Sequence, residues 1–210
     1  LVRIQEGGLM SSKERAENTT RREFVPRSVE ELERFLRGHH ISVDTWDRGG
    51  TKTIQHLFNE LVAGESFLIE NGTEIFREAK IASILVTFND GKDIWTLVED
   101  CQEFKNGDIQ RRPFAGSVAE KLKRGELPKV AALRGMCEEL GLCTPLAIKE
   151  VGVEIKDGMS ISFPGLNARM EVHRFAVELT IEQYRKEGYV EIQDDKTTYF
   201  VWKKLQKLNF

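Results

Sequence analysis

Apolar residues recur at helical spacing in two short segments near the beginning of the chain. A capping-box spacing and the apolar positions after it predict a helix over residues 29–37. A second apolar face predicts a helix from residue 51 or 52 to residue 63. Together these segments define a small helical extension at residues 28–64, which follows a flexible arm at residues 1–27.

Beyond residue 64, patterns typical of strands dominate. Two strong strands are predicted at residues 81–88 and 94–99, and the Asn89-Asp90-Gly91-Lys92 stretch between them is a tight turn. Helices are predicted only at residues 128–140 and, more briefly, at 181–186. Further strand patterns lie at 66–69, 74–76, 104–111, 146–155, 170–179, 189–192 and 198–205. Strands interleaved with few helices predict an α+β fold of the α/β/α sandwich type, with a mixed sheet.

The composition is that of an ordinary globular protein. The chain has 210 residues, of which 40% are hydrophobic and 31% charged. No apolar run approaches the roughly 20 residues that a membrane helix needs, so no membrane partner is expected. The net charge of −3 does not favour a nucleic-acid partner, although a local basic patch would still allow one. Nothing in the sequence predicts an oligomeric state.

Three cysteines without a CxxC pair argue against a disulfide framework and against a cysteine-rich zinc site. A reducing, cytoplasmic location is the simplest interpretation. No apolar segment of a secretory signal follows the first charges, and Met10 is expected to be the natural start. The Ser, Thr and Arg residues at 11–27 also suggest an organelle transit peptide, but three glutamates among them count against it.

The segment from Gly125 to Leu142 carries the most chemical information. Its apolar spacing predicts a helix from Pro128 to Leu140, with Val130, Leu133 and Leu140 facing inward. Glu138 and Glu139 are adjacent on this helix. Paired carboxylates on a rigid helix can hold Mg²⁺, which prefers oxygen ligands, and such a cation can clamp a diphosphate. The alternative is an ordinary solvated helix face.

The whole segment resembles the signature of the Nudix hydrolases, and the resemblance covers about residues 78–205. Nine residues separate Gly116 from Glu126, against five in the family pattern, which indicates a four-residue insertion. Gly135 stands where the family has a glutamate that binds metal or acts as a base. The matching positions are Gly116, Glu126, Arg134, Met136, Glu138, Glu139, Gly141 and Leu142.

The resemblance implies a Nudix-like domain at residues 65–210 that hydrolyses a nucleoside-diphosphate-linked or other small diphosphate substrate with Mg²⁺ or Mn²⁺. Glu138 and Glu139 would be catalytic and would bind the metal, and an Arg134–Glu126 ion pair would orient the helix. Acids that could replace the missing glutamate are Glu120, Glu187, Glu191, Asp194 and Asp195, of which Glu191 and Asp194 are the preferred metal ligands. The missing acid also favours an alternative, a catalytically weak module that binds a nucleotide or a protein.

Several residues outside the helix are candidates for substrate binding. Arg111 and Arg112 could contact phosphates through their forked donors, or they could form a solvated charge pair. Phe163 could stack on a base, and Arg169 or His173 could meet a phosphate. The alternative is a surface turn at residues 162–166, with His173 satisfied within the sheet.

Overall fold

The computed structural model describes residues 21–48, 50–111 and 117–205. Most of the predicted flexible arm, together with Arg112 and Gly116, lies outside these described residues. The described part of the chain forms three helices and ten strands.

The three helices are α1 (Val29–Gly38), α2 (Ile54–Val62) and α3 (Pro128–Leu140), and all three were predicted. Ser28 begins α1 as its N-cap, since its side-chain oxygen accepts a hydrogen bond from the backbone N–H of Glu31 at 3.2 Å. The short helix predicted at 181–186 is wrong, because this stretch contains only a turn. No described helix is both long and apolar enough to cross a membrane.

Buried and more exposed side chains alternate most clearly in the long third strand. The buried positions are odd from Ile75 to Ala79 and even from Ala82 to Phe88, so the buried face of the strand changes between these two parts. The bounds of the strands are β1 (Arg21–Phe24), β2 (Phe67–Asn71), β3 (Glu74–Asn89), β4 (Ile94–Phe104), β5 (Ile109–Gln110), β6 (Val118–Lys121), β7 (Lys149–Met159), β8 (Asn167–Glu178), β9 (Tyr189–Ile192) and β10 (Lys196–Lys204).

The chain divides into two compact units. The first contains the described residues up to Val62, together with Ser66–Glu78 and Gly158–Ala168. Within it, β1, β2 and the beginning of β3 form an antiparallel sheet. The helices α1 and α2 contribute Leu32, Leu36 and Leu57 to its core, each fully buried.

The second unit contains Ala63–Glu65, Ala79–Asp157 and the chain from Arg169 onward. Its strands run in the order β3-β4-β10-β9, and all these neighbours are antiparallel. On β3, β6 is a further antiparallel partner. β8 also pairs with β3, and β7 pairs with β8.

The strands β3 and β8 run in the same direction. Lys80 contacts Glu171 at 3.0 Å, and seven residues later the Thr87 hydroxyl donates to the carbonyl of Val177. Because both residue numbers rise together, the pairing is parallel, and the sheet of the second unit is mixed. The predicted α+β class with a mixed sheet is therefore confirmed. The predicted domain boundary between residues 64 and 65 stays a prediction.

The buried face of α3 differs in part from the predicted one. Leu140 is buried as predicted, whereas Val130 is 50% exposed. The residues that face the core are mostly small: Ala131, Ala132, Gly135, Met136 and Leu140. Small side chains let this helix lie close to β6 and β9, against which it packs.

Candidate functional site

Arg134 lies at the centre of an ion-pair network on α3. Its Nε and one terminal nitrogen donate to the two carboxylate oxygens of Glu126, at 3.0 and 2.9 Å. The other terminal nitrogen lies 2.8 Å from Glu120 and 3.3 Å from Glu138. A fifth contact joins the guanidinium to the carbonyl of Lys121 at 2.9 Å. The predicted Arg134–Glu126 ion pair is therefore confirmed, and it is bidentate.

This network ties three parts of the chain together. Glu120 lies on β6, Glu126 in the loop before the helix, and Arg134 on the helix itself. The guanidinium of Arg134 holds the pKa of Glu126 below its usual range. Glu126 also accepts a hydrogen bond from the backbone N–H of Lys123 at 2.9 Å, which closes the loop on itself. The position of α3 on the sheet is thus fixed by charge as well as by apolar packing.

Gly135 allows the close approach of α3 to β6. A Cβ atom placed on Gly135 would lie 2.9 Å from Cβ of Glu120 and 3.2 Å from a methyl carbon of Val118. The first of these distances is shorter than side chains tolerate. The side chain of Glu120 therefore fills the space that a larger residue 135 would need. The absence of a side chain at position 135 thus makes room for the side chains of Glu120 and Val118.

Glu139 lies among further carboxylates. Partial burial raises the pKa of its carboxyl to about 9, and the negative charges of Glu191, Glu120 and Glu99 act in the same direction. Lys196 opposes them. Burial also raises the pKa of Glu120, against the effect of Arg134. Carboxylates from three strands, β4, β6 and β9, therefore act electrostatically on Glu139 of the helix.

The sheet beneath these acids contains an unpaired hydroxyl. Thr198 on β10 lies opposite Glu191 on β9 and opposite Gln102 on β4. Residues directly opposite each other on antiparallel strands point to the same face. The Thr198 hydroxyl is buried and has no hydrogen-bond partner among the described residues. A polar group of this kind beside Glu191 is a candidate for contact with a ligand.

The end of α3 is fixed by a turn and a disulfide. Gly141 adopts φ 66°, and its N–H donates to the carbonyl of Cys137 at 3.0 Å. This left-handed turn reverses the chain, so that Cys143 reaches Cys137 and forms a disulfide with it. The expectation of no disulfide was wrong here, because residues six apart meet only when the helix ends in such a turn. The inferred reducing compartment loses its support from the cysteines.

Carboxylate and hydroxyl oxygens suit a hard divalent cation, and the acidic residues that act on Glu139, together with Thr198 on the same sheet face as Glu191, carry oxygens of these types. Among the described residues, however, no three His, Cys, Asp or Glu side chains are arranged to hold a metal ion. Glu138 is exposed and directed toward Arg134. Asp194 is exposed in the turn between β9 and β10. The ligand set of Glu138, Glu139, Glu191 and Asp194 therefore stays a prediction.

The candidate substrate residues are placed differently from one another. Phe163 is fully buried in the core of the first unit, with the guanidinium of Arg77 5.2 Å from its ring centroid, so it offers no exposed ring for stacking. Arg169 is exposed and lies 3.6 Å from Asp157. Arg111 is exposed at the end of β5. His173 contacts Glu150 at 3.0 Å and Glu171 at 2.7 Å, as expected for a histidine satisfied within the sheet.

Three residues of the site were missed by the sequence analysis. Glu99, Lys196 and Thr198 lie on β4 and β10 and join the site only through strand pairing. The available signal was an alternation of buried and polar positions around Thr198. This signal does not identify Glu139, the helix residue on which Glu99 and Lys196 act through their charges.

The comparisons with known proteins give only structural similarities. No family model matches the chain, and no curated protein matches it. The Nudix domain of Shewanella oneidensis NrtR, solved with ADP-ribose, is similar over 61% of this chain and 73% of its own, at 10% identity and a TM-score of 0.39. A MutT/Nudix family protein from Enterococcus faecalis is similar over 63% of this chain but 46% of its own, at 14% identity and a TM-score of 0.42.

The Ap4A hydrolase of Caenorhabditis elegans is a third similar structure, with 13% identity and a TM-score of 0.37 over 61% of this chain and 81% of its own. Nudix domains are thus among the solved structures to which the chain is similar. At TM-scores below 0.5, these matches add no weight to the role of any residue.

Replacing Arg134 by methionine should destabilise the protein. Arg134, Glu120 and Glu126 are only 19%, 17% and 13% exposed, so the change leaves two largely buried carboxylates without their partner. We expect a loss of about 2–4 kcal/mol in the free energy of unfolding, measured by urea denaturation. Arg134→Lys should recover part of it, because lysine keeps the charge but not the fork. Lys204→Met breaks an exposed pair with Asp93 and should cost less than about 1 kcal/mol.

The metal-free protein should become less stable as the pH rises. The pKa of Glu139 is about 9 in the folded protein against an ordinary 4.5, so the unfolded chain releases this proton first. The contribution of this carboxyl to the free energy of unfolding is therefore fully present below pH 4.5 and is lost progressively up to about pH 9. Melting temperatures in EDTA should fall across this range, and Glu139→Gln should flatten the slope. Glu138→Gln, at the exposed neighbour, should retain the slope of melting temperature against pH. An unchanged slope in Glu139→Gln would contradict the assignment of this pH dependence to Glu139.

Proposed function

We propose that the acid cluster of the second unit hydrolyses a diphosphate substrate, such as a nucleoside diphosphate linked to another group, with Mg²⁺ or Mn²⁺. The observation that supports this function is the position of Glu139 among the charges of Glu191, Glu120 and Glu99. Like charges gathered in a partly buried place repel one another, and a divalent cation would relieve that repulsion.

Glu139, Glu120 and Glu191 are the residues that would hold the cation, with Glu138 as a further carboxylate at the rim. Bound there, the cation would neutralise charge on the diphosphate oxygens and orient an attacking water. Glu139, kept ionised by the cation, would accept the proton from that water. Arg134 would position Glu120 and α3 without touching the substrate.

Glu120 is our candidate for the acid that replaces the missing glutamate at position 135. Its side chain occupies the space that a side chain at position 135 would take. The negative charge of its carboxylate raises the pKa of Glu139. The acid would thus be supplied by β6 instead of by the helix. Among the candidates named from the sequence, Glu191 also acts on Glu139, whereas Asp194 lies in an exposed turn.

A second function is favoured by a specific contact. The Arg134–Glu120 pair, at 2.8 Å, holds the very carboxylate that would have to turn toward a cation. If that pair persists, the site would be a Nudix-like module that binds a nucleotide or a protein with little or no catalysis.

Cytoplasmic location and the substrate roles of Arg111, Arg112 and Arg169 remain parts of the proposal.

Hydrolysis should depend on Glu139. We expect release of nucleoside monophosphate from at least one member of a panel of nucleoside diphosphate derivatives, with ADP-ribose as the first probe, in Mg²⁺ or Mn²⁺ but not in EDTA. Glu139→Gln should lower kcat/KM by about 100-fold or more. It should also remove the rise in melting temperature that the metal produces. If the protein binds a probe equally well in EDTA and never turns it over, the binding module is the correct function.

Exchanging residues 120 and 135 tests the replacement directly. Glu120→Gly should lower metal affinity and kcat/KM by about 10- to 100-fold. Gly135→Glu alone should destabilise the protein, because its Cβ would meet that of Glu120 at 2.9 Å. The double variant Glu120→Gly/Gly135→Glu removes this clash and returns an acid to the helix, so metal binding measured by calorimetry should recover in part. Full metal binding by Glu120→Gly alone would show that Glu120 is not the substitute.

A further inference from the structure

Strand β7 exposes apolar side chains along one face. Val151, Val153 and Ile155 are 54%, 56% and 48% exposed. They alternate with Gly152 and Glu154, so all three point to the same side of the strand. β-branched residues on a strand are normally covered by a neighbouring element.

The same strand lies at an edge of its sheet. Within the described residues, β7 pairs with β8 and with no other strand. Its second edge therefore presents unpaired backbone N–H and C=O groups over its length. Edge strands are usually protected by charged residues, whereas the middle of β7 carries an apolar stripe. An edge of this composition is a template for one more strand.

We propose that a second copy of this chain pairs antiparallel with β7 about a two-fold axis at Val153, so that the two sheets join into one. In a two-fold interface each residue meets its counterpart reciprocally. Around Val153 the sequence is complementary to its own reverse. Directly opposite residues would be Lys149 with Asp157, Glu150 with Lys156, Val151 with Ile155, and Val153 with Val153 of the second copy.

Each opposing pair in this register is favourable or neutral. The apolar stripes of the two copies become continuous, and ion pairs of opposite charge lie at both ends. Glu154 falls opposite Gly152, so no carboxylate lies directly opposite a like charge.

Neighbouring registers lack this complementarity. A shift of one residue sets Lys149 opposite Lys156 in one direction and Glu150 opposite Asp157 in the other. It also sets apolar positions of one copy beside polar positions of the other. A shift of two sets Glu154 opposite either Glu150 or itself. Like charges directly opposite each other are destabilising, so the charges select the register centred on Val153.

The charged residues already make contacts within the chain, but these contacts leave them accessible. Glu150 contacts His173 and is 47% exposed, and Asp157 contacts Arg169 and is 66% exposed. Lys156 lies 3.7 Å from Glu154 and is 55% exposed. Glu150 and Asp157 can therefore face a second copy while their present partners stay on β8, and Lys156 can do so because its partner lies two residues away on the same strand. Because a single strand pair is a small interface, the dimer should be weak, with Kd in the micromolar range.

Sedimentation equilibrium of the full chain, at about 5–500 µM, tests the pairing. We expect a reversible monomer–dimer equilibrium. Lys156→Glu sets a glutamate opposite Glu150, and two-fold symmetry repeats the repulsion, so Kd should rise about tenfold or more. Glu150→Lys alone should weaken the dimer in the same way. The double variant Glu150→Lys/Lys156→Glu restores opposite charges and should return Kd close to that of the unmodified chain.

Recovery in the double variant separates this pairing from a general loss of stability, since circular dichroism should show all variants folded. A monomer at every concentration would reject the second copy as the occupant of this edge. A dimer that ignores all these substitutions would place the interface elsewhere. Folded single variants that weaken the dimer without recovery in the double variant would reject the register. Assembly beyond the dimer would reject the closed two-fold arrangement.

Discussion

The guanidinium of Arg134 is the interaction on which the proposed site depends. It binds Glu126 with two hydrogen bonds and Glu120 with an ion pair, so one side chain joins a loop, a strand and a helix. Burying Glu120 and Glu126 without it would leave two desolvated charges, a loss larger than most apolar contacts could offset. With it, α3 is held on β6, and Glu139 in its last turn lies in a partly buried position.

Carboxylates outnumber cations in both charge clusters of α3, but the clusters differ in how the cation lies. Arg134 contacts three carboxylates directly, at 2.8 to 3.3 Å. Around Glu139, carboxylates from three strands face a fourth, and Lys196 is the cation that opposes them. Above the ordinary pKa of glutamate, repulsion of this kind lowers the free energy of unfolding of the protein that contains it. The excess of negative charge at Glu139 is the physical reason to expect a cation there.

The local part of this arrangement could be predicted from the sequence. Helix α3 follows from apolar spacing, and the Arg134–Glu126 pair follows from the resemblance of its segment to the Nudix signature. Glu99 and Thr198 could not be predicted, because they reach the site through pairing between β4, β10 and β9. The inward position expected for Val130 was wrong since small residues, which carry little hydrophobic signal, form the buried face. The disulfide was missed because it depends on the left-handed conformation of Gly141.

In the proposed site, the acid that is missing at position 135 of α3 is supplied by Glu120 of β6. A glycine inside a helix costs roughly 1 kcal/mol relative to alanine, so its presence needs a compensating gain. The compensating gain is the close packing of α3 against β6, because the side chain of Glu120 fills the space above Gly135. The disulfide and the Gly141 turn fix the end of the same helix. Glu139 therefore approaches the acids of the strands from a fixed helix end, and protonation or a bound cation would each lower the repulsion between them.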